Sequence, residues 1–466
     1  MARSSAAAAE PALFVIILAA GEGKRMKSAL PKVLQPLAGR PLLAHVIETA
    51  RALKPAAIDV VYGHGGEQVR QALAAEPVGW TLQAQQLGTG HAVLQAIPKV
   101  PEGHTVLILY GDVPLLARQT LAQLVALAGP RQVALLTMTV DDPSGYGRIV
   151  RDAEGRVARI VEQKDASAAE RGIRECNTGV IAAPARLLKC WLEALKADNS
   201  QREYYLTDII AMAVKDGIAV NPLACADAIE ALGVNDKVQL ALLESECRQR
   251  AARGLMLAGV TLADPARIDV RGRVSHGKDV FIDVNVVLEG TVKLGHRVRI
   301  GPGCVIRDVE IGDDTQVFPH CVIESAIIGP NCNIGPFARF RPTSRLSGGV
   351  HIGNFVEVKN STMAEESKAN HLSYVGDAQV GERVNIGAGT IIANYDGANK
   401  HRTVIEDDVH TGSNSVLVAP ITIGAGATVA AGSTVANQVP AGKLTIARAR
   451  QTTIETWKRP AKQKKK

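Results

Sequence analysis

From about Ile268 onward an aliphatic residue returns at every sixth position. Leu294, Ile300 and Ile306 are six apart; so are Ile328 and Ile334; so are Val380, Ile386 and Ile392, and then Ile423, Val429 and Val435. Many of them are followed at once by glycine, as in Leu294-Gly295, Ile334-Gly335 and Val380-Gly381. A period of six fits neither a helix nor a simple hairpin array. It describes a parallel β-helix, in which each hexapeptide makes one short strand and one turn and the stacked aliphatics fill a thin core. The period breaks at Pro336 to Val350, Asn360 to Leu372 and Ala393 to Thr403. These breaks read as insertions, which in repeat folds map to loops on the functional face.

The first half has a different grammar. The apolar run Leu13-Phe14-Val15-Ile16-Ile17-Leu18 predicts a buried strand ending in the turn Leu18-Ala19-Ala20-Gly21-Glu22-Gly23-Lys24-Arg25-Met26. A helix is predicted over Pro41 to Lys54, where Leu42, Leu43, Val46, Ile47, Ala50 and Leu53 recur at helical spacing. Strands follow at Ala57 to Tyr62 and Thr105 to Tyr110, with helices at Glu67 to Ala75 and from Gly88-Thr89-Gly90 through Ile97. Beyond Arg131 the pattern is strand-rich, and Lys237 to Leu257 reads as a long linking helix. Strands alternating with helices predict a mostly parallel sheet covered on both faces, with ligands at the carboxyl ends of its strands.

Composition narrows the function. The net charge of +7 arises largely from six cations between Lys458 and Lys466, without which the chain stands at +1. The tail therefore reads as a solvated end, and a nearly neutral body with 3% aromatics argues against nucleic-acid binding. Seven cysteines with no CxxC pair exclude a disulfide framework and point to a reducing, cytoplasmic setting. The alanine-rich start followed by Phe14 to Ala20 has the look of a secretory signal, but Glu10-Pro11 interrupts it and no signal peptide is expected. No apolar stretch reaches the roughly 18 residues that a transmembrane helix needs.

The glycine turn after the first strand could cradle phosphate on its backbone N–H groups, with Lys24, Arg25 and Lys32 supplying charge. It lacks the third glycine of GxGxxG, and Leu18 stands where a P-loop needs glycine. Asp112, at the end of Tyr110-Gly111-Asp112, suits a magnesium ion held by one carboxylate and by phosphates. In the second half, His371 offers a base near neutral pH for acyl transfer to an amine. A β-helix coil returns about every 18 residues, so Arg341, Lys359 and the segment from Tyr374 can lie close together and hold a phosphate.

On these residues the N-terminal half resembles the sugar-nucleotide pyrophosphorylases. From about Phe14 to Arg459 the chain resembles the bacterial bifunctional N-acetylglucosamine-1-phosphate uridyltransferases and glucosamine-1-phosphate acetyltransferases. That resemblance implies an α/β Rossmann-like nucleotidyltransferase domain over 1–236, a linker helix over 237–257, and a left-handed parallel β-helix acetyltransferase domain over 258–466. It implies that Leu18, Ala19, Ala20 and Gly21 hold the nucleotide of UTP and that Lys32 contacts phosphate. Gln83 and Gly88-Thr89 would read the uracil, and Tyr110 and Gly111 would line the site. Asp112 and Asn235 would bind Mg2+. Gly147, Glu162 and Asn177 would bind N-acetylglucosamine. It further implies that Arg341, Lys359, Tyr374 and Asn385 bind glucosamine-1-phosphate and that His371 deprotonates its amine. Ala388, Asn394, Tyr395, Ser413, Ala431 and Arg448 would contact acetyl-CoA. No covalent acetyl-enzyme is expected. Members trimerise through the β-helix and build each acetyl site from neighbouring subunits. One departure is Lys24, where the family usually has threonine.

Two other readings stay open at this point. One is a single-activity pyrophosphorylase whose β-helix only oligomerises the chain. The other is a repeat scaffold whose basic tail binds nucleic acid or envelope surfaces.

Overall fold

Strand Leu13–Ala19 is buried along nearly its whole length, with a strand paired to each of its edges and a core on each of its faces. It runs parallel to Ala57–Tyr62 on one side and to Thr105–Tyr110 on the other, with Leu18 opposite Val61 and Tyr110. Its alternate side chains feed two separate cores. Phe14, Ile16 and Leu18 pack on one face of the sheet, and Val15, Ile17 and Ala19 on the other. A strand covered on both faces reads as an unbroken apolar run, as this one does. The computed structural model describes residues 12–462. The alanine run at the start of the chain and the last three lysines of the tail lie outside them.

The chain divides into two compact units, Met1–Cys247 and Arg248–Lys466. In the first, the sheet extends outward from Leu13–Ala19 to Gly79–Leu82 at one edge and Ala219–Ala224 at the other. The predicted elements appear with small boundary shifts: helices at Leu42–Ala52, Gly66–Ala72 and Thr89–Ala96, and a helix at Lys237–Leu257. The sheet is mostly parallel. Strand Glu175–Pro184 breaks the rule, lying antiparallel between Thr105–Tyr110 and Gln132–Thr139. Its pairing is irregular between Asn177 and Ile181. There Gly179 has φ +84°, and a Cβ on it would lie 2.5 Å from the Tyr110 ring. Glycine is thus what lets the strand pass Tyr110.

The second unit is the expected β-helix. Short parallel strands stack in ladders: Arg299 faces Gln316, Gln316 faces Asn333, Asn333 faces His351, and His351 faces Lys368. Each of these coils is thus three hexapeptides long or, more often, one residue short of that, and lays down three strands, for instance Gln316–Val317, Val322–Glu324 and Ala326–Ile328. The inward side chains form one continuous aliphatic core. Truncating one of them, as in Ile323→Ala, would cost about 2–5 kcal/mol.

Two of the three expected insertions are absent. Across Pro336 to Val350 and Asn360 to Leu372 the coil keeps its length, with Arg339 facing Glu357 and Glu357 facing Tyr374. The inward positions are still filled, by Phe340, Leu346, Ile352, Val358, Met363, Ala369 and Val375. The period looked broken because phenylalanine, methionine and alanine take the place of Val, Ile and Leu, and because Val358 to Met363 is one residue short of a full hexapeptide step. The third break is a true insertion: Asn385 faces His410, well over one coil length further along the chain. Among the described residues no helix is long and apolar enough to cross a membrane.

Candidate active sites

The aligned carboxyl ends of the parallel strands open into a cavity of ≈390 Å³. Leu18, Ala19, Ala20, Gly21, Lys32, Gln83, Gly88, Thr89, Tyr110 and Asp112 all line it. Lys24 and Arg25 do not line it. The Lys24 ammonium lies 2.8 Å from the Glu22 carboxylate on the exposed side of the turn. This corrects the expectation that both residues bring charge to the phosphates. The 3-10 helix Lys24–Met26 explains it, since it buries only Met26.

At one end of the cavity, three residues distant in sequence converge. The Lys32 ammonium forms an ion pair with the Asp112 carboxylate, and it lies 3.4 Å from the Asn235 Oδ1. Gly111 N–H donates to the Leu18 carbonyl (2.9 Å), and Val234 N–H to the Asp112 carbonyl (2.9 Å), so the backbone holds Asp112 and Asn235 together. Two hard oxygens, one anionic, thus share a cation. This donor set fits an ion of the magnesium type, which takes one or two protein oxygens and completes its shell with water and phosphate.

Gln83 is 4% exposed, and its amide Nε2 donates to the Gly88 carbonyl (3.1 Å). Gly88 has φ +111°, and a Cβ there would meet the Tyr204 carbonyl at 2.6 Å. The loop therefore seats against segment 203–206, whose Leu206 N–H donates to the Thr89 hydroxyl (3.1 Å). Sequence reasoning missed four lining residues, the apolar Val33 and Ala92 and the polar Gln86 and Glu203. Gln86 Nε2 donates to the Ala20 carbonyl (2.7 Å) and so ties the loop between Gln83 and Gly88 to the glycine turn.

Gly147, Glu162 and Asn177 come together beyond Tyr110. Asn177 N–H donates to the Gly147 carbonyl (2.8 Å), and a Cβ on Gly147 would lie 3.5 Å from the Glu162 carboxylate. Burial raises the pKa of Glu162 above the usual carboxylate range, against a hydrogen bond from the Thr207 hydroxyl (3.0 Å). Burial likewise raises the Tyr110 phenol, helped by the charges of Glu162 and Asp112.

In the β-helix, Asp377 is the hub of a second cluster, and the sequence reading did not include it. It accepts from the Lys359 ammonium (3.3 Å), from Asn360 Nδ2 (2.6 Å) and from Asn394 Nδ2. Asn394 Nδ2 also lies 3.4 Å from the Tyr374 hydroxyl. Lys400, on the inserted loop, adjoins Lys359, whose ammonium holds its pKa below the ordinary lysine value. Arg341 lies 3.2 Å from Glu357 and acts on Lys400 as a further nearby cation. Three cations thus crowd one place with two carboxylates beside them. Asn385 is not among them. It sits in a different sheet, beside a cavity lined by His351, Lys368 and His410.

His371 ends strand Lys368–His371 at a corner of the coil, with its Nδ1 2.9 Å from the Asn354 Oδ1. An amide oxygen only accepts, so in the neutral ring Nδ1 carries the proton and Nε2 keeps its lone pair. From His371 a ladder of backbone bonds climbs the corner. Gly389 N–H donates to the His371 carbonyl (3.1 Å), Asn414 N–H to Ala388 (2.7 Å) and Gly432 N–H to Ser413 (2.8 Å). The Arg448 guanidinium then reaches the Ala431 carbonyl (2.5 Å). Ala388, Ser413, Ala431 and Arg448 therefore form one line leading away from His371. Tyr395 is exposed on the inserted loop, with its hydroxyl on the Gly397 carbonyl (2.6 Å). Asn354 and Asp377 carried a signal after all: each lies one coil length along the chain from its partner, His371 for the first and Lys359 for the second.

The fold and the two sites define a nucleotidyltransferase joined to a hexapeptide-repeat acyltransferase. Residues 15–206 match the MobA-like NTP transferase domain, 270–352 the GMPPB C-terminal domain, and 402–437 the bacterial transferase hexapeptide of six repeats. The chain is 59% identical to the bifunctional protein GlmU of Azoarcus sp. over 97% of its own length and all of that protein's. It is 58% identical to GlmU of Aromatoleum aromaticum and 57% to that of Stutzerimonas stutzeri, each over 97% of this chain and 99% of the relative. The chain belongs to the bifunctional GlmU family. It is a two-activity enzyme, an acetyltransferase and a uridyltransferase for the synthesis of UDP-N-acetylglucosamine.

Proposed function

We propose that the two steps are divided between these residues as follows. Glucosamine-1-phosphate lies with its phosphate on Arg341, Lys359 and Lys400 and beside the Tyr374 hydroxyl. His371 Nε2, oriented by Asn354, takes a proton from the amine as its nitrogen attacks the acetyl-CoA thioester carbon. The C–S bond breaks, and CoA thiol leaves along the corner formed by Ala388, Ser413, Ala431 and Arg448. Asn394 serves the phosphate end through Asp377, and Tyr395 faces the cofactor groove. That Asn385 lies in a different sheet from Lys359 and Tyr374 supports a site completed by neighbouring subunits of a homotrimer.

In the nucleotidyltransferase unit, the product's phosphate oxygen attacks the α-phosphorus of UTP and pyrophosphate departs. Gln83, Gly88 and Thr89 seat the uracil; Leu18 to Gly21 and Gly111 line the nucleotide; Lys32 neutralises phosphate charge. Gly147, Glu162 and Asn177 hold the acetylated sugar beside Tyr110. Asp112 and Asn235 would hold Mg2+, which when bound supplies charge neutralisation on the phosphates. Positioning and electrostatics suffice for such a transfer. The substrates are small molecules, and the free thiols of the described residues fit the cytoplasm.

The single observation that carries the reading is the convergence of Asp112 and Asn235 on Lys32 at the end of the cavity. The test is a paired assay on Asp112→Asn and His371→Ala. Asp112→Asn should abolish pyrophosphate release and spare CoA-thiol release, and His371→Ala the reverse. Loss of both activities in either variant, with the fold intact, would refute this division of labour.

A further inference from the structure

The Gln83 amide can face a nucleobase in either of two ways, and its neighbours choose one. Its nitrogen lies 3.1 Å from the Gly88 carbonyl, which only accepts, so the NH2 group faces Gly88. The same nitrogen lies 3.0 Å from His91 Nδ1. With one hydrogen on Gly88, the other points at His91, and Nδ1 must accept it. The Gln83 oxygen then has no protein partner among the described residues, and Gln83 lines the cavity.

His91 is built to keep that acceptor. It stands in the first turn of helix Thr89–Ala96, where burial lowers its pKa and favours the neutral ring. Its face stacks on Tyr204 with centroids 6.3 Å apart, and its Nε2 lies 3.2 Å from the Gln95 amide nitrogen. With Nδ1 accepting, the neutral ring carries its proton on Nε2, and the Gln95 amide, which no other hydrogen bond fixes among the described residues, must turn over to offer its oxygen. Tyr204 is held in turn, its N–H on the Leu87 carbonyl (2.8 Å) and its carbonyl on Gly90 N–H (2.8 Å).

We infer that His91 is a specificity-determining residue for the uridylyl transfer: it accepts from the Gln83 amide and so fixes a carbonyl oxygen toward the base. Uracil presents an N3–H donor to that oxygen, whereas cytosine presents an N3 lone pair and is repelled. His91 touches neither base nor phosphate; it is a positioning residue acting through Gln83. The inference rests on the reading of Gln83 as the uracil contact.

The test compares kcat/KM for UTP and CTP in wild type, His91→Leu, His91→Asn and Gln83→Ala, by pyrophosphate release. Acetyl transfer by the other unit of the same chain reports that each variant is folded. His91→Leu should lower the UTP to CTP ratio by about tenfold or more, through KM for UTP, with kcat nearly unchanged. Asparagine places an amide oxygen where Nδ1 was, so His91→Asn should keep most of the ratio. If His91→Leu keeps the wild-type ratio while Gln83→Ala loses it, His91 does not set the amide and the inference falls. The same follows if His91→Asn loses as much as His91→Leu. If Gln83→Ala itself keeps the ratio, the reading of Gln83 fails first, and the inference with it.

Discussion

Asn354 and His371 face each other across one coil of the β-helix, with Oδ1 2.9 Å from Nδ1. The pairing fixes which imidazole nitrogen is basic. Removing the base, His371→Ala, should lower acetyl transfer by about 10²–10⁴-fold. Asn354→Ala keeps the base but frees the ring, and should cost up to about tenfold. Both should leave uridylyl transfer at the wild-type rate. An Asn354→Ala enzyme with undiminished thiol release would show that the pairing does not orient the base.

Lys32 occupies the point on which Asp112 and Asn235 converge. A divalent cation arriving without nucleotide must displace an ammonium of like charge. Lys32→Met should therefore bind Mn2+ alone several-fold more tightly than wild type, by direct titration, while uridylyl transfer falls. Equal or weaker Mn2+ binding in the variant would mean that the ammonium does not guard those oxygens.

Glu162 is held above its ordinary pKa by burial. Folding thus favours its protonated form, a contribution present in full below the ordinary glutamic pKa and lost as pH rises through the raised value. Glu162→Gln cannot ionise. It should melt higher than wild type at pH 7, and the gap should close toward pH 4. Its KM for N-acetylglucosamine-1-phosphate should rise. Thermal melts at the two pH values and one kinetic comparison check both effects.

Lys400 is carried by the inserted loop, so its placement depends on how that loop is pinned. Asp396 does this by accepting from the Ala398 and Asn399 N–H groups (2.8 and 2.6 Å) and pairing with His401 (2.6 Å). Lys400→Ala should raise KM for glucosamine-1-phosphate several-fold and leave KM for acetyl-CoA near wild type. An equal rise in both would place Lys400 in the cofactor groove instead of the phosphate cluster.

Lys24 pairs with Glu22 away from the cavity, and both are exposed. Lys24→Thr should change uridylyl transfer by less than about twofold, as exposed substitutions usually do. A large loss in a steady-state assay would return Lys24 to the phosphates.

Much of this architecture was written locally. The apolar run before the glycine turn and the six-residue period each depend on a few neighbouring positions, and both units took the shape these patterns imply. What escaped the sequence was held at a distance. Gln86 gains its meaning from the Ala20 carbonyl, and Glu203 from the seating of Gly88 on segment 203–206. Asn354 and Asp377 are ordinary polar residues until the coil length is known; then each falls one coil from its partner. The apparent breaks near Phe340 and Met363 arose from treating only Val, Ile and Leu as inward residues, whereas the core accepts any apolar side chain of fitting volume.

The nearly even coil length ahead of the inserted loop has a consequence for how such a domain can change. The candidate acetyl-site residues begin at Arg341, and the coils from Phe281 to Gly335 contain none of them. Those coils stack the same ladders and hold none of the candidate site residues. They act as a spacer whose length is set in whole rungs. A rung could be added or removed there and the catalytic corner would keep its register. The same edit between His371 and Arg448 would shift His371 out of line with Ala388, Ser413, Ala431 and Arg448. Growth in this domain is thus open at one end and closed at the other.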